Sequence, residues 1–191
     1  MKKVLSIIAL CLIAVLAGTI IVFSCVDKNY NLNLTKPDYI QISVSGTTGE
    51  SYYADGDSEH KAVYDKVMSL YNDSYKQKIM SGIFSGVIFN KPVIANAGTT
   101  VTTVLNKGTF IIFNYNEEQT LMLNGKKYTD KTNPSGVKYK TLYVEVKDTT
   151  SITSFSIYVK DVSSTGYLRY NYSVQAKQAN LYDYIQENFA K

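Results

Sequence analysis

The one side chain suited to acid–base chemistry near neutral pH is His60, the only histidine of the chain. Asp57 and Asp65 lie close to it in sequence, so a carboxylate could orient the imidazole as in a nucleophile–histidine–acid triad. No serine, however, stands in the Gly-x-Ser-x-Gly context that presents a nucleophile on a sharp turn. We therefore expect His60 to be a solvated residue near a helix start.

Two groups of acidic residues have spacings that invite a functional interpretation. The segment Asp55–Glu59 resembles the opening of a calcium loop, but His60 replaces the glycine at the sixth position and Lys66 the glutamate at the twelfth. Turn and helix-cap chemistry explains it more simply. Glu117 and Glu118 are adjacent and would point to opposite faces of a strand, unlike the paired carboxylates of glycosidases. The sequence thus predicts no metal site, no cofactor and no enzymatic activity.

Tyrosine is the most conspicuous aromatic residue, with 17 copies and no tryptophan. In the strands that the sequence predicts, the outward positions include Tyr143, Tyr158, Tyr167 and Arg169. These four residues are the candidate ligand surface, an aromatic and weakly basic face suited to a glycan or an extended peptide. The alternative is ordinary cross-strand pairing on a solvated sheet surface.

Charge and cysteine content exclude several classes of function. Lys2 and Lys3 account for two of the 20 basic side chains, and the 18 that remain nearly balance 16 acidic ones. Nucleic-acid binding needs clustered positive charge, and Arg169 is the only arginine, so we expect no nucleic-acid partner. Cys11 and Cys25 are the two cysteines. The region beyond them therefore has neither a disulfide nor a thiolate metal site.

Period-two apolar patterns predict strands, and a 3.6-residue period predicts helices. The predicted strands are Asp38–Ser45, Gly108–Tyr115, Thr120–Leu123, Lys126–Thr129, Tyr139–Val146, the region of Phe155, Ile157 and Val159, and Leu168–Val174. Asn124-Gly125 predicts a tight hairpin between the third and the fourth of these. Three helices are predicted. The first opens at Asp57–Glu59, with the stripe Val63, Val67, Leu70 and Tyr71, and a second, short one covers Asp73–Met80. The last is capped by Asn180 and has the stripe Leu181, Ile185 and Phe189.

This order predicts an α+β fold. We expect a two-layer domain of mostly antiparallel sheet, with about six to seven strands, an amphipathic helix before it and a C-terminal helix. The alternative is a β-sandwich with peripheral helices.

The N-terminus carries an uncharged, mostly apolar run from Val4 to Val26. As a helix it would be about 35 Å long, enough to cross a bilayer core of about 30 Å. Its end, Val22-Phe23-Ser24-Cys25, resembles the cleavage and lipidation box of bacterial lipoproteins, although Phe23 is bulkier than usual. The resemblance implies that Cys25 is diacylated and becomes the first residue of the mature protein.

Two alternatives remain for this segment. One is an uncleaved single-pass helix with Lys2 and Lys3 in the cytoplasm. The other is ordinary signal cleavage after Ala17. In the first of these, Cys25 is simply the last residue before the interface.

Together these features predict residues 1–25 as a lipoprotein-type signal or transmembrane anchor, 26–37 as a polar linker and 38–191 as an extracytoplasmic domain. We expect the protein on the outer face of the cell membrane, as a non-catalytic binding module whose partner is an envelope protein or a glycan. The alternatives are an envelope enzyme that uses carboxylates and a structural or assembly accessory. The domain itself resembles no family.

Overall fold

The computed structural model describes residues 6–17, 34–76, 93–96, 101–123, 126–129, 131, 134–148, 153–162, 167–174 and 178–190. Its helices are α1 (6–17), α2 (Ser58–Lys76), α3 (Val101–Leu105) and α4 (Ala179–Phe189). Its strands are β1 (Tyr39–Val44), β2 (Thr47–Tyr53), β3 (Val93–Asn96), β4 (Thr109–Thr120), β5 (Met122–Leu123), β6 (Lys126–Lys127), β7 (Lys138–Val146), β8 (Thr153–Asp161) and β9 (Tyr167–Val174).

Seven strands form one sheet in the order β2-β1-β4-β7-β8-β9-β3, and every neighbouring pair is antiparallel. The strands β5 and β6 form the predicted hairpin, in which Met122 pairs with Lys127 and Leu123 with Lys126. The α+β class and the antiparallel sheet are confirmed. The strand number differs, because the described residues contain nine strands rather than about six to seven. Seven of them form a single sheet, not a sandwich, and the other two form the separate hairpin.

One face of the sheet packs against α2 and α4 and forms the main core. From the helices it contains Val67, Leu181 and Ile185, all buried. From the sheet it contains Ile40, Ile42, Ile111, Phe113, Leu142, Val144, Val146, Ile157 and Val159. Each such side chain contributes roughly 1.5–3 kcal/mol to folding. The apolar stripes predicted for α2, α4 and the central strands are thus the ones that meet.

Capping differs between the two long helices. Asp57 Oδ1 accepts the backbone N–H groups of Glu59 and His60, each at 3.0 Å, which confirms the predicted cap of α2. The helix then continues to Lys76, so the separate helix predicted from Asp73 is, as far as Lys76, its last turn. The prediction that Asn180 caps α4 is wrong, since Asn180 lies within the helix and Gln178 is its N-cap.

Gln178 gives no side-chain cap because its amide binds the end of β7 instead. Its Oε1 accepts the N–H of Lys147 at 3.1 Å, and its Nε2 donates to the carbonyl of Glu145 at 3.3 Å. The side chain is buried and ties the start of α4 to the sheet.

Residues 34–37, the last four of the predicted linker, lie against the domain. The hydroxyl of Tyr64 donates to the carbonyl of Pro37 at 2.6 Å, and that of Tyr115 donates to the carbonyl of Thr35 at 2.8 Å. Leu34 packs against the main core, and Pro37 is buried. We call residues 34–37 the strap. The rest of the predicted linker lies outside the described residues.

Helix α1 stands at the N-terminus with its apolar side chains more than half exposed. They are Ile7, Ile8, Leu10, Leu12, Ile13, Val15 and Leu16. Among the described residues no helix has both the length and the apolarity to span a bilayer. The spanning helix predicted over Val4–Val26 is therefore not supported; of that run the structure describes residues 6–17. The residues of the lipidation box, with Cys25, lie outside the described part.

Candidate functional site

The face of the sheet opposite α2 and α4, which we call the far face, holds the predicted ligand surface. Alternate residues of each strand point to this side, and strand pairing aligns them in three rows. The first row is Ser43, Phe110, Glu145 and Ser156; the second is Gln41, Ile112, Tyr143, Tyr158 and Arg169; the third is Tyr39, Asn114, Thr141, Lys160 and Tyr167. The four predicted residues, here called the tyrosine face, thus occupy two adjacent rows.

Tyr158 is the residue of this group whose predicted exposure is wrong. Only 2% of it is exposed, because Phe110 lies against it with ring centroids 6.1 Å apart and the Arg169 guanidinium lies over its ring. Leu105, at the end of α3, packs on the same small cluster. Tyr158 and Phe110 therefore form the buried floor of the tyrosine face, beneath Tyr143, Tyr167 and Arg169.

Tyr143 and Tyr167 are half-buried on top of this floor. Their ring centroids are 5.9 Å apart at an interplanar angle of 63°, and the ring of Tyr143 also meets that of Phe110 at 6.4 Å. Burial, together with the hydrogen-bonded hydroxyl of Tyr167, raises the pKa of Tyr143 to about 12. Tyr143 is therefore neutral at physiological pH, and the pair offers both ring surface and hydroxyl groups to a ligand.

Arg169 is exposed and held from below. Its Nε donates to Ser156 Oγ at 3.0 Å, and its Cζ lies 5.8 Å from the centroid of the Tyr158 ring. Ser156 and Tyr158 are both buried. The cation is thus positioned by two side chains that cannot themselves reach solvent.

Glu145 belongs to the far face and was not predicted. Its Oε2 accepts the backbone N–H of Ser156 at 2.7 Å and lies 3.3 Å from Lys147 Nζ. The Glu145 carboxylate thus accepts a backbone N–H that would otherwise bond to a carbonyl of the neighbouring strand. This contact can be predicted only once the pairing of β7 with β8 is known. Sequence alternation alone places Glu145 on this side without revealing the contact.

A second group of ionisable residues surrounds His60. Its Nδ1 lies 2.7 Å from Asp57 Oδ2, and its Nε2 lies 3.7 Å from Glu50 Oε2 on β2. The hydroxyl of Tyr52 donates to the other oxygen of Glu50 at 3.2 Å. Asp65, considered as a triad member from sequence, instead pairs with Lys61.

The hydrogen bond to Asp57 raises the pKa of His60. The pKa of Asp57 is lowered first by the backbone N–H of His60 and then by its imidazole. The two carboxylates that contact His60 do so through different ring nitrogens and so do not converge on one point. Within the described ranges, no three His, Cys, Asp or Glu side chains form a group that could hold a metal ion.

A shallow groove of about 350 Å³ lies between the strap and α2. It is lined by Lys36, Tyr64, Met68, Asn72 and Asp73, among others. The Nζ of Lys36 lies 5.3 Å from the centroid of the Tyr64 ring, so the strap and α2 contact each other within the lining of the groove.

Comparison with known proteins gives no relative. No family model matches the chain, and neither does any curated protein or solved structure. A functional proposal therefore has to rest on the geometry of the tyrosine face and of the N-terminal segment.

Proposed function

We propose that the protein is a membrane-tethered, extracytoplasmic binding module without catalytic activity, and that the tyrosine face is its ligand surface. The observation that carries the proposal is the half-exposed pair Tyr143 and Tyr167 beside the exposed Arg169, all supported by a buried aromatic floor. Rigid aromatic rings next to one positioned cation are typical of recognition surfaces, because little side-chain freedom is lost on binding.

The N-terminal segment supports the tether. Helix α1 exposes seven large apolar side chains in succession, a surface that is costly to leave in water and suited to a membrane or to a signal-processing site. We retain Cys25 as the proposed site of lipid attachment, with an uncleaved membrane helix as the alternative. Eight residues separate Cys25 from Leu34. Fully extended, they reach at most about 29 Å, so the strap keeps the domain close to the membrane surface.

The test compares two pairs of tyrosines on the same far face. Tyr143→Leu combined with Tyr167→Leu removes the ring surface and the hydroxyls but keeps apolar bulk. Aromatic contacts contribute about 0.5–1.5 kcal/mol each, so we expect about a tenfold loss of affinity for delipidated bacterial envelopes. The measurement is cosedimentation of the detergent-solubilised full-length protein with increasing amounts of envelope.

The matched control is Tyr39→Leu combined with Tyr53→Leu. These two rings pair across β1 and β2 with centroids 5.0 Å apart, at the other edge of the same face. We expect this variant to bind as the wild type does. Tyr158 is left unchanged, because truncating a buried aromatic ring typically costs about 3–5 kcal/mol of stability. Equal binding by both double variants would reject the tyrosine face as the ligand surface.

A second candidate function, an envelope enzyme, is favoured by one observation, the imidazole of His60 between two carboxylates. An oriented imidazole with a raised pKa is an element of general acid–base catalysis. Its side chain is 35% exposed and both carboxylates are mostly exposed, so water screens the arrangement. We therefore rank this candidate second.

A further inference from the structure

We propose that the ligand of the tyrosine face is an acidic glycan, a sugar chain whose rings carry carboxylates, and that Arg169 binds the carboxylate. This inference rests on the function proposed above and specifies the chemistry of its ligand. The observations that carry it are the support beneath Arg169, the charge on the far face and the pairing of the strands that form it.

Arg169 is held in place before any ligand arrives. A bond of 3.0 Å from its Nε to the buried Ser156 fixes one end of the guanidinium, and the ring of the buried Tyr158 lies beneath it. Arginine has five N–H donors, and this bond uses one of them. The two terminal nitrogens carry the other four donors, in the fork geometry that matches a carboxylate with two parallel hydrogen bonds. Because the side chain is already positioned, binding costs less conformational entropy.

The exposed charge around this site is positive. Lys160, in the next row, is exposed like Arg169. Among the described residues of the three rows, Glu145 carries the one carboxylate, and its side chain is only 15% exposed. It accepts the N–H of Ser156 and is paired with Lys147, so its charge is largely compensated. An anionic ligand is therefore attracted to this part of the far face.

Strand pairing favours a glycan over a peptide. An extended peptide gains affinity by adding its backbone to a free strand edge. The strands that carry the tyrosine face are flanked on both sides: β7 lies between β4 and β8, β8 between β7 and β9, and β9, at Arg169, between β8 and β3. A ligand on this face must bind through side chains. A sugar ring with a carboxylate has the two parts required, a C–H surface for Tyr143 and Tyr167 and an anion for Arg169.

The test uses the absence of tryptophan from the sequence. Tyr167→Trp keeps an aromatic ring at the site and makes it the only tryptophan, so its fluorescence reports binding in the full-length, detergent-solubilised protein. The probes are a trisaccharide of galacturonic acid and the matched neutral trisaccharide of galactose. We expect the acidic sugar to bind about tenfold or more tightly than the neutral one, since hydrogen bonds to charged groups contribute about 1.5–3 kcal/mol.

Arg169→Gln in the same background should remove this preference, and Arg169→Lys, which keeps the charge but not the forked donors, should remove part of it. Lys140→Gln is the control, because Lys140 is an exposed lysine of β7 outside the three rows; it should keep the preference. The lysine variant also serves if the glutamine variant unfolds.

The outcomes separate the two proposals. Equal affinity for both sugars, a preference that survives Arg169→Gln, or no fluorescence change with either sugar would overturn the acidic-glycan inference. The proposal that the tyrosine face is the ligand surface fails on different grounds, namely if the double leucine variant still binds envelopes as the wild type does.

Discussion

His60 links the start of α2 to the edge strand β2 through two carboxylates. Asp57 both caps the helix and contacts Nδ1, while Glu50 faces Nε2 and is held by the hydroxyl of Tyr52. Tyr52 in turn meets Phe189 of α4 with ring centroids 5.8 Å apart. The imidazole therefore joins α2 to β2, and Tyr52 connects this corner of the domain to α4. The sequence could predict the cap, but not the contact with Glu50, which depends on a strand without a periodic pattern.

The contacts of His60 should make the free energy of unfolding depend on pH near neutrality. The folded-state pKa of His60 is raised, so its contribution is complete below its unfolded value of about 6.5 and is lost as the pH rises through the raised value. The pKa of Asp57 is lowered from 3.8, so its contribution is complete above that value and is lost in stronger acid. Both contributions are present between about pH 4 and 6.5.

We predict that His60→Gln removes the part of this pH dependence that lies near neutral pH. Urea unfolding at pH 5.5 and at pH 8.5 should show that the wild type loses more stability between the two values than the variant does. Lys61→Gln, which removes the neighbouring ion pair with Asp65, is the control and should change as the wild type does. Identical pH slopes for wild type and His60→Gln would show that the imidazole contributes nothing to stability.

At the scale of elements, predictions succeeded where an apolar period was strong. The central strands β4 and β7 and the helix α2 are long and carry regular buried positions, so pattern and structure agree. The strand β2 was not predicted. Its first residues, Thr47–Glu50, are exposed and polar, and an edge strand needs no apolar alternation. The turn itself is at Ser45 and Gly46, whose φ angles of 50° and 82° are both positive.

The strap is an element that no pattern predicts, because its four residues are held by hydroxyls from distant positions in the sequence. Tyr115 reaches Thr35 across 80 residues, and Tyr64 reaches Pro37 across 27. Burial raises the pKa of Tyr64 to about 12, so its hydroxyl remains a donor at physiological pH. The consequence is that the folded domain includes residues 34–37 of the predicted linker.

We predict that Tyr115→Phe weakens this attachment. Loss of one partly buried hydrogen bond should lower the free energy of unfolding by about 0.5–1.5 kcal/mol, and Tyr64→Phe should do the same. Urea unfolding measures the change, and hydrogen exchange of the Asp38 amide, which donates to Asn114, reports whether the strap loosens locally. Tyr53→Phe, at a ring that is 45% exposed, is the control. The strap assignment fails if Tyr115→Phe is as stable as Tyr53→Phe with unchanged exchange.

At the scale of the whole molecule, the sheet separates two kinds of surface. The face covered by α2 and α4 is the main core, and strand alternation predicted its buried positions well because burial on one side is what produces the pattern. The same alternation predicted that Tyr143, Tyr158, Tyr167 and Arg169 share the opposite side. It could not predict that Tyr158 is covered, since Phe110 and the short helix α3 bury it through contacts that have no sequence period.

Both binding proposals presuppose that this domain is held at the membrane by its N-terminus. The strap and the eight residues before it allow only a short tether, and Cys25 is the proposed point of attachment. The most direct test is metabolic labelling of bacterial cells with radiolabelled palmitate, followed by separation of membrane and soluble fractions, for the full-length wild type and for Cys25→Ala.

We predict a labelled, shortened wild-type protein in the membrane fraction, and an unlabelled, uncleaved Cys25→Ala precursor. An unlabelled wild-type protein that stays in the membrane fraction would reject lipid attachment in favour of the uncleaved helix. A full-length, unlabelled wild-type protein recovered from the cytoplasm would contradict the tether altogether.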